Sequence, residues 1–361
     1  MTESQGASNS FMVSPYSAFA EPIVNAYLYN PLVDEITLKY PYKAEVETKK
    51  LEPTLTFAGR GLQDGRSSLI YQIEGESKVL YEGKTEVEIA NGSLQKEIKL
   101  KNKFPEAKGV SWELFAEGTT PIGGYASLSW SRFHGQVKYL DGKWRSAYIK
   151  LVPVAFEHPG YLTVPVAEDG YFDALVPARV YAVINVDGTG YGYDSLERWA
   201  WDYDLTKDRE DVFTIGRTEL YGMRAFDIKS PLPTIFVMFR PTALSRCLQF
   251  DADGDGLVQG EERERMETAM RESPTVIGPE LKVEDVRVWL DGKEEKIVQF
   301  SKIPEYDGDF WQVQYLMQIY PDPRPTRGVW HEIKVEVQSK ESLHGKDIID
   351  FGQGSVGFYR P

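Results

Sequence analysis

The sequence predicts a mostly β protein, made of tandem β-sandwiches and interrupted once by an inserted helix–loop–helix. From about Leu51 onward, short runs of alternating apolar and polar residues are separated by Gly, Asn and Pro, which is typical of strands joined by turns. These runs recur at roughly 8–12-residue spacing, as in β-sandwiches. One run, "FDADGDGLVQGEERERM" from Phe250 to Met266, instead combines an acidic, Gly-rich loop with apolar residues at helical spacing, so a helix is expected there.

Residues 1–50 are predicted to form an extended N-terminal arm. Pro15, Pro22 and Pro31 interrupt an apolar stretch, and proline blocks a long helix. An apolar arm of this kind is expected to pack on its own domain or on a neighbouring copy, by strand addition or otherwise. Self-association through the arm is therefore an expectation.

Residues 51–128 are predicted to form an immunoglobulin-like β-sandwich. Segments such as "SSLIYQIEG", "TEVEIANG" and "VSWELFAEG" alternate in the way that half-buried strands do. The Ala90-Asn91-Gly92 step is a strong hairpin signal, because Asn and Gly accept the left-handed backbone of tight turns.

Residues 129–229 carry a recognisable pattern of turns and strands. It consists of Gly135-x-Val137, Asp141-Gly142, Ala147-x-Ile149-x-Leu151, Asp169-Gly170-x-Phe172 and Val176-Pro177-Ala178. From Phe133 to near Phe226, this pattern resembles the carboxypeptidase regulatory-like family. The resemblance implies a transthyretin-like β-sandwich that serves as a structural or binding module and does not catalyse a reaction.

Residues 230–361 are predicted to form a second immunoglobulin-like sandwich, of bacterial surface type. "PLPTIFVMFRP" is a strand bounded by prolines, and further strand patterns follow Lys282. Between them, residues 243–273 are predicted to be an inserted EF-hand or dockerin-like segment.

The acidic loop, residues 251–262, has the twelve positions of an EF-hand. Calcium prefers six to eight oxygen ligands, and this motif supplies them at fixed positions around an obligatory glycine. Gly256 occupies the turn position. The predicted Ca²⁺ ligands are Asp251, Asp253, Asp255, Leu257 (through its carbonyl), Gln259 (through water) and Glu262 (through both carboxylate oxygens).

A single such loop favours a fixed structural site over a calcium switch, because sensor EF-hands act in pairs. Val258 is at the position that normally contacts a partner loop. A second segment, beginning at Asn185 and Asp187, starts in a similar way but has Leu196 at the twelfth position. An Asp- and Gly-rich hairpin turn is the favoured interpretation of that segment.

The stretch from Tyr191 to Asp204 is dense in aromatic and acidic residues. Aromatic faces beside carboxylates suit sugar rings, so the stretch is a candidate ligand-binding site. The favoured interpretation is a packed seam between domains or a covered sheet edge. The candidate residues are Tyr191, Tyr193, Trp199, Trp201 and Tyr203.

Charge and composition exclude several classes of protein. With 41 basic and 55 acidic residues the net charge is −14, which disfavours nucleic acid and anionic membranes as partners. No apolar run is long enough to span a membrane, and the single Cys247 excludes a disulfide framework. Because no zinc, nucleophile-elbow or phosphate-loop motif is present, we expect that the chain is not an enzyme.

The sequence therefore favours a non-catalytic, calcium-binding protein with a structural or adhesive role at the cell surface or in an extracellular assembly. Two alternatives stay open: a carbohydrate-binding accessory protein with glycan partners, and a structural component of a phage or injection particle. The start "MTESQGASNS" has no signal-peptide pattern. That absence fits synthesis in the cytoplasm for a particle, or loss of a signal from a secreted protein.

Overall fold

The computed structural model describes residues 23–29, 35–39, 46–50, 52–116, 121–152, 162–228 and 234–360. The chain is mostly β, as predicted. The first nine strands are β1 (Ile23–Tyr29), β2 (Glu35–Lys39), β3 (Val46–Lys50), β4 (Thr54–Arg60), β5 (Gly65–Glu74), β6 (Val79–Ile89), β7 (Ser93–Lys99), β8 (Gly109–Ala116) and β9 (Ile122–Ser127).

The remaining elements follow in chain order. They are β10 (Trp130–Tyr139), β11 (Ala147–Val152), β12 (Leu162–Pro165), β13 (Tyr171–Pro177), β14 (Arg179–Gly188), β15 (Arg198–Leu205), β16 (Arg209–Ile215), β17 (Thr218–Asp227), β18 (Ile235–Ala243), α1 (Leu244–Cys247), α2 (Glu261–Glu272), β19 (Val286–Leu290), β20 (Lys293–Glu295), β21 (Ile297–Tyr306), β22 (Trp311–Ile319), β23 (Trp330–Leu343) and β24 (Lys346–Tyr359). Short 3₁₀ turns cover Leu248–Phe250 and Val283–Asp285.

The described residues divide into two units. The first contains residues 23–28, 54–99, 106–116 and 121–128. Its sheets have the orders β1-β4-β7 and β6-β5-β8-β9. Phe57 of β4 contacts Tyr71 of β5 with 5.6 Å between ring centroids, so the two sheets meet face to face over a shared core. This arrangement is a β-sandwich.

The predicted turn at 90–92 forms, but it joins strands of different sheets. Asn91 and Gly92 both have positive φ, 54° and 69°, and Ala90 and Ser93 exchange backbone hydrogen bonds. Beyond the turn, β6 pairs with β5 while β7 pairs with β4. The turn signal in the sequence was therefore correct. The sheet that each strand joins is decided by its pairing with β4 or β5, which the turn residues do not specify.

Part of the predicted N-terminal arm is a strand of this first sandwich. β1 is an edge strand next to β4, and Ala26 and Leu28 are buried. β2 and β3 form a separate antiparallel hairpin. Residues 1–22 of the arm lie outside the described residues, and self-association through the arm stays a prediction.

The described residues of the second unit include 129–152, 162–228 and 234–360, and they contain two large buried cores. The middle core lies between the sheet β13-β10-β16 and the strands β11, β12, β14 and β15; Phe133, Tyr181 and Phe213 are among its members. The C-terminal core contains Val237, Tyr315 and Val335 among others. A sheet of 12 strands, of which β15 and β24 are adjacent members, runs past both cores.

β24 joins the strands of this large sheet. Along one edge it pairs antiparallel with β23 from Lys346 to Tyr359. Along the other edge it pairs parallel with β17 at residues 352–353 and with β15 at residues 354–356. β17 also pairs with β18 along most of its length. The predicted domain boundary between residues 229 and 230 thus separates two strands that are neighbours in one sheet.

Candidate functional site

The acidic loop lies in the predicted insertion, between β18 and β19. α1 and the 3₁₀ turn Leu248–Phe250 precede it, and α2 follows it. α2 begins at Glu261 with three acidic residues in its first turn and has Arg271 in its last turn, an arrangement that complements the helix dipole. The helix expected in this segment is therefore present, from Glu261 to Glu272.

The first three predicted ligands converge. Asp251 is buried, and its two carboxylate oxygens accept hydrogen bonds from the backbone N–H of Gly254 (2.7 Å) and of Gly256 (2.9 Å). One carboxylate oxygen from each of Asp251, Asp253 and Asp255 lies within 4.8 Å of the others. Like charges this close repel one another, so a cation between them would be stabilising.

The other predicted ligands are less converged. Among the described residues, the group of converging acids contains the three aspartates and not Glu262. The Glu262 carboxylate instead accepts a hydrogen bond from the backbone N–H of Ala252 (2.6 Å), at the start of the loop. Leu257 is half-buried and Gln259 is exposed. Glu262 thus closes the ends of the loop on each other.

Val258 has an apolar partner other than a second calcium loop. It packs against the buried cluster Leu196, Leu244 and Leu248, which Leu343 of β23 also contacts. The residue that pairs two loops in a double EF-hand here anchors the loop to a buried apolar cluster of the second unit. This gives a physical reason why one loop can be ordered by itself.

The acidic loop also touches the aromatic stretch. Gly256 has φ +85°, and a Cβ atom added there would lie 2.2 Å from the ring of Tyr193. Only glycine therefore allows both the turn and this close approach. Two features that the sequence analysis treated separately meet at this contact.

The aromatic stretch is mostly packed inside the second unit. Trp201 and Tyr203 are each only 2% exposed. Trp199 stacks on Trp201 at 5.6 Å, and Tyr221 meets both indole rings edge-on. Trp201 belongs to the C-terminal core and Tyr203 to the middle core. Tyr191 is 49% exposed.

The five candidate rings therefore do not share one exposed surface. Asp202, with φ 46°, interrupts the alternation of β15, so Trp201 and Tyr203 enter different cores. The burial of Trp201 and Tyr203 favours a packed seam over a sugar-binding platform, since a sugar needs open ring faces.

One acidic group was missed by the sequence analysis. We define the acidic sheet cluster as Asp187, Glu197 and Glu219. Burial, followed by the charge of Asp187, raises the pKa of Glu197 to about 7. Burial, followed by the charge of Glu197, raises the pKa of Glu219 to about 8. Raised carboxyl pKa values mark sites where charge is poorly solvated.

Asp187 was considered above as part of a second loop, but it lies in β14. Its carboxylate accepts hydrogen bonds from the Tyr148 hydroxyl (2.5 Å) and from the backbone N–H of Gly188 (2.7 Å). Asn185 lies two residues earlier on the same strand and is buried. The segment from Asn185 is thus a strand end, in line with the favoured interpretation.

A cavity of about 360 Å³ lies beside Tyr203. Arg209 lines it, with its guanidinium 2.7 Å from the Glu332 carboxylate, 3.0 Å from Asp211 and 3.9 Å from the centre of the Tyr203 ring. The Nδ1 atom of His331 lies 2.6 Å from Asp291. These charged groups are largely engaged with one another, and no sequence motif marks them.

No protein-family model and no curated protein matches the chain. Among solved structures, a DUF3823 family protein from Bacteroides ovatus is 11% identical, with 63% of this chain and 98% of that chain covered and a TM-score of 0.21. One from Parabacteroides merdae is 11% identical, with 64% and 100% covered and a TM-score of 0.19.

A streptococcal ancillary pilin is 8% identical, with 81% of this chain and 89% of that chain covered and a TM-score of 0.18. In the described part of the chain, no helix is both long and apolar enough to cross a membrane.

Proposed function

We propose that the chain is a non-catalytic, calcium-stabilised β protein with a structural or adhesive role at a cell surface or in an extracellular assembly. The observation that supports it is the convergence of Asp251, Asp253 and Asp255 within 4.8 Å, in a loop whose residue types match an EF-hand at the ligand positions. The bound ion would offset the mutual repulsion of the aspartates.

The packing around the loop supports a fixed role for the metal. Val258 holds the loop on an apolar cluster that includes Leu196 and Leu343, and Gly256 seats the loop on Tyr193. Arg217 and Ser245 both contact the buried Asp350 of β24, with Arg217 Nε donating at 2.8 Å. Calcium at the loop would therefore stabilise the contacts that join α1 to the residues before β15 and to strands β23 and β24.

The test is calcium binding and its effect on melting. A ligand that binds only the folded state stabilises it by about 2.7 kcal/mol at roughly 100-fold excess over Kd. We expect calorimetry to show one calcium ion per chain, and a chelator to lower the melting temperature. Magnesium should replace calcium poorly, because it resists a large, flexible oxygen cage.

Glu262→Gln should weaken calcium binding and mimic the chelator, because it removes the charge of the residue that closes the loop. Glu261→Gln is the matched control: Glu261 is the exposed neighbour on the same helix and is outside the ligand pattern. If the intact chain takes up no calcium, the metal has no place in the function. If both variants bind calcium equally, Glu262 is not part of the site.

A further inference from the structure

The pairing of β11, β14 and β15 places a lysine and two acids on one face of the large sheet. Lys150 of β11 is opposite Asn185 of β14, and Asn185 is opposite Trp199 of β15. Asp187 and Glu197 are each two residues from these partners, so alternation puts them on the same face. Lys150, Asp187 and Glu197 therefore form a compact group although they are distant in sequence.

Lys150 and Asp187 are in contact within this group. The Lys150 Nζ atom lies 3.5 Å from the Asp187 Oδ2 atom, and both side chains are mostly buried. The ammonium group also lies over the Tyr148 ring, 4.9 Å from its centre. These contacts hold the amine beside the carboxyl group, and such positioning can raise effective concentrations to about 10⁵–10⁸ M.

The oxygens of Asp187 are held by two donors. The Tyr148 hydroxyl donates to Oδ2 at 2.5 Å, and the Gly188 N–H donates to Oδ1 at 2.7 Å. Donors in these positions stabilise the negative charge that develops on oxygen when a nucleophile attacks a carboxyl carbon. The same carboxyl group is thus both close to an amine and polarised.

Glu197 supplies a proton carrier beside the pair. Its carboxyl group lies next to Asp187, and burial together with the Asp187 charge raises the pKa of Glu197 to about 7. A carboxyl group with this pKa is partly protonated near neutral pH and can both donate and accept a proton.

We propose that Lys150 and Asp187 condense to form an intramolecular amide bond, with Glu197 as the proton-transferring group. Within the ion pair, the Lys150 ammonium first passes a proton to the Asp187 carboxylate. The resulting neutral amine attacks Cγ of the Asp187 carboxylic acid, so that a C–N bond forms. Glu197 donates its proton to the departing hydroxyl as the C–O bond breaks, and it recovers a proton from the amine nitrogen. The products are one amide and one water molecule, and no oxidant, reductant or other reactant is needed.

The amide bond would fix β11 to β14 covalently. It would close residues 150–187 into a loop, and a cross-link of this kind restricts the unfolded chain. A protein with a load-bearing role would gain resistance to unfolding from it. The inference uses the geometry of the sheet and does not depend on calcium binding at the acidic loop.

The test is the intact mass of the purified full chain. We expect a mass lower than that of the sequence by one water molecule, after allowance for the initiator methionine, and a branched peptide in a protease digest that joins Lys150 to Asp187. Lys150→Arg keeps the positive charge but should restore the full mass. Glu197→Gln should leave most of the chain at full mass.

The exposed pair Lys302 and Glu280 is the control. Its Nζ–Oε1 distance is shorter, 2.5 Å, but the pair is more solvated, and Lys302→Arg should leave the mass deficit unchanged. Full mass for the wild-type chain overturns the proposal. A mass deficit that persists in Lys150→Arg also overturns the proposal. If Glu197→Gln condenses as fully as wild type, Glu197 has no part in the reaction.

Discussion

The acidic loop and the acidic sheet cluster concentrate carboxylates in opposite ways. In the loop, twelve consecutive residues bring three aspartates together, and backbone N–H groups of the same loop donate to them. In the sheet cluster, Asp187, Glu197 and Glu219 come from three regions of the chain, and burial raises the pKa values of both glutamates. Local spacing crowds three carboxylates whose repulsion a cation would offset, whereas strand pairing buries carboxyl groups and raises their pKa values.

The largest expected effect comes from removing a buried ring of the large sheet. Trp201→Ala should lower the free energy of unfolding by about 3–5 kcal/mol, because the substitution leaves a cavity where a buried ring joined the C-terminal core. Chemical denaturation measures the change. Tyr191→Ala, at an exposed ring of the same stretch, should change stability by only about 0.5 kcal/mol. Equal effects would mean that Trp201 is not packed as described.

A smaller effect is expected from alanine substitutions at two glycines of the acidic loop, which should differ in how much they lower stability. Gly256→Ala should cost about 2–4 kcal/mol, since a Cβ atom meets the Tyr193 ring and the backbone has positive φ. Gly254 also has a positive φ, +77°, but no atom lies within 4 Å of a Cβ added there. Gly254→Ala should therefore lower the free energy of unfolding by only about 1 kcal/mol. Urea denaturation with excess chelator excludes calcium from the measurement.

The cause of that difference is tested by removing the ring. In a Tyr193→Ala background, the two glycine substitutions should cost similar amounts, because only the backbone strain remains. If Gly256→Ala stays the more costly substitution by the same margin, the contact with Tyr193 is not its cause.

The smallest expected effect concerns pH. The pKa of Glu219 is raised from 4.5 to about 8 in the folded chain, so the folded state binds more protons than the unfolded state between these values. The contribution of Glu219 to the free energy of unfolding is fully present below about pH 4.5 and is lost as pH rises through about 8. Glu219→Gln should therefore stabilise the chain at pH 9 by about 1–3 kcal/mol, with little effect at pH 4.

Glu210→Gln, at an exposed acid of β16, is the control for the pH experiment. Denaturation curves at several pH values should show the gain for Glu219→Gln alone. A Glu219→Gln effect that is the same at pH 4 and pH 9 would mean that the carboxyl group does not retain a proton in the folded chain.

The sequence allowed the local features to be predicted. Alternation revealed most strands from β4 onward, the turn at Asn91 and Gly92 has the expected backbone, and the spacing of Asp251, Asp253 and Asp255 predicted their convergence. Each of these depends on residues that are close in the chain. The predicted role of Glu262 as a direct ligand stays a prediction.

Features that depend on distant pairing were not accessible from the sequence. The approach of Glu219 to Glu197 follows from the way β17 and β15 share one edge of β24, and no periodicity encodes that neighbourhood. The left-handed backbone of Asp202 changed the side to which Tyr203 points. Regular alternation would instead put Trp199, Trp201 and Tyr203 on one face of β15.

The position of β24 has a consequence for biosynthesis. β15 and β17 lack their shared neighbour until residues 352–356 have been synthesised, far later in the chain. Contacts over such long separations close slowly, and unpaired strand edges promote aggregation while they wait. During translation, the edges of β15 and β17 that pair with β24 therefore stay open until the end of the second unit has been synthesised.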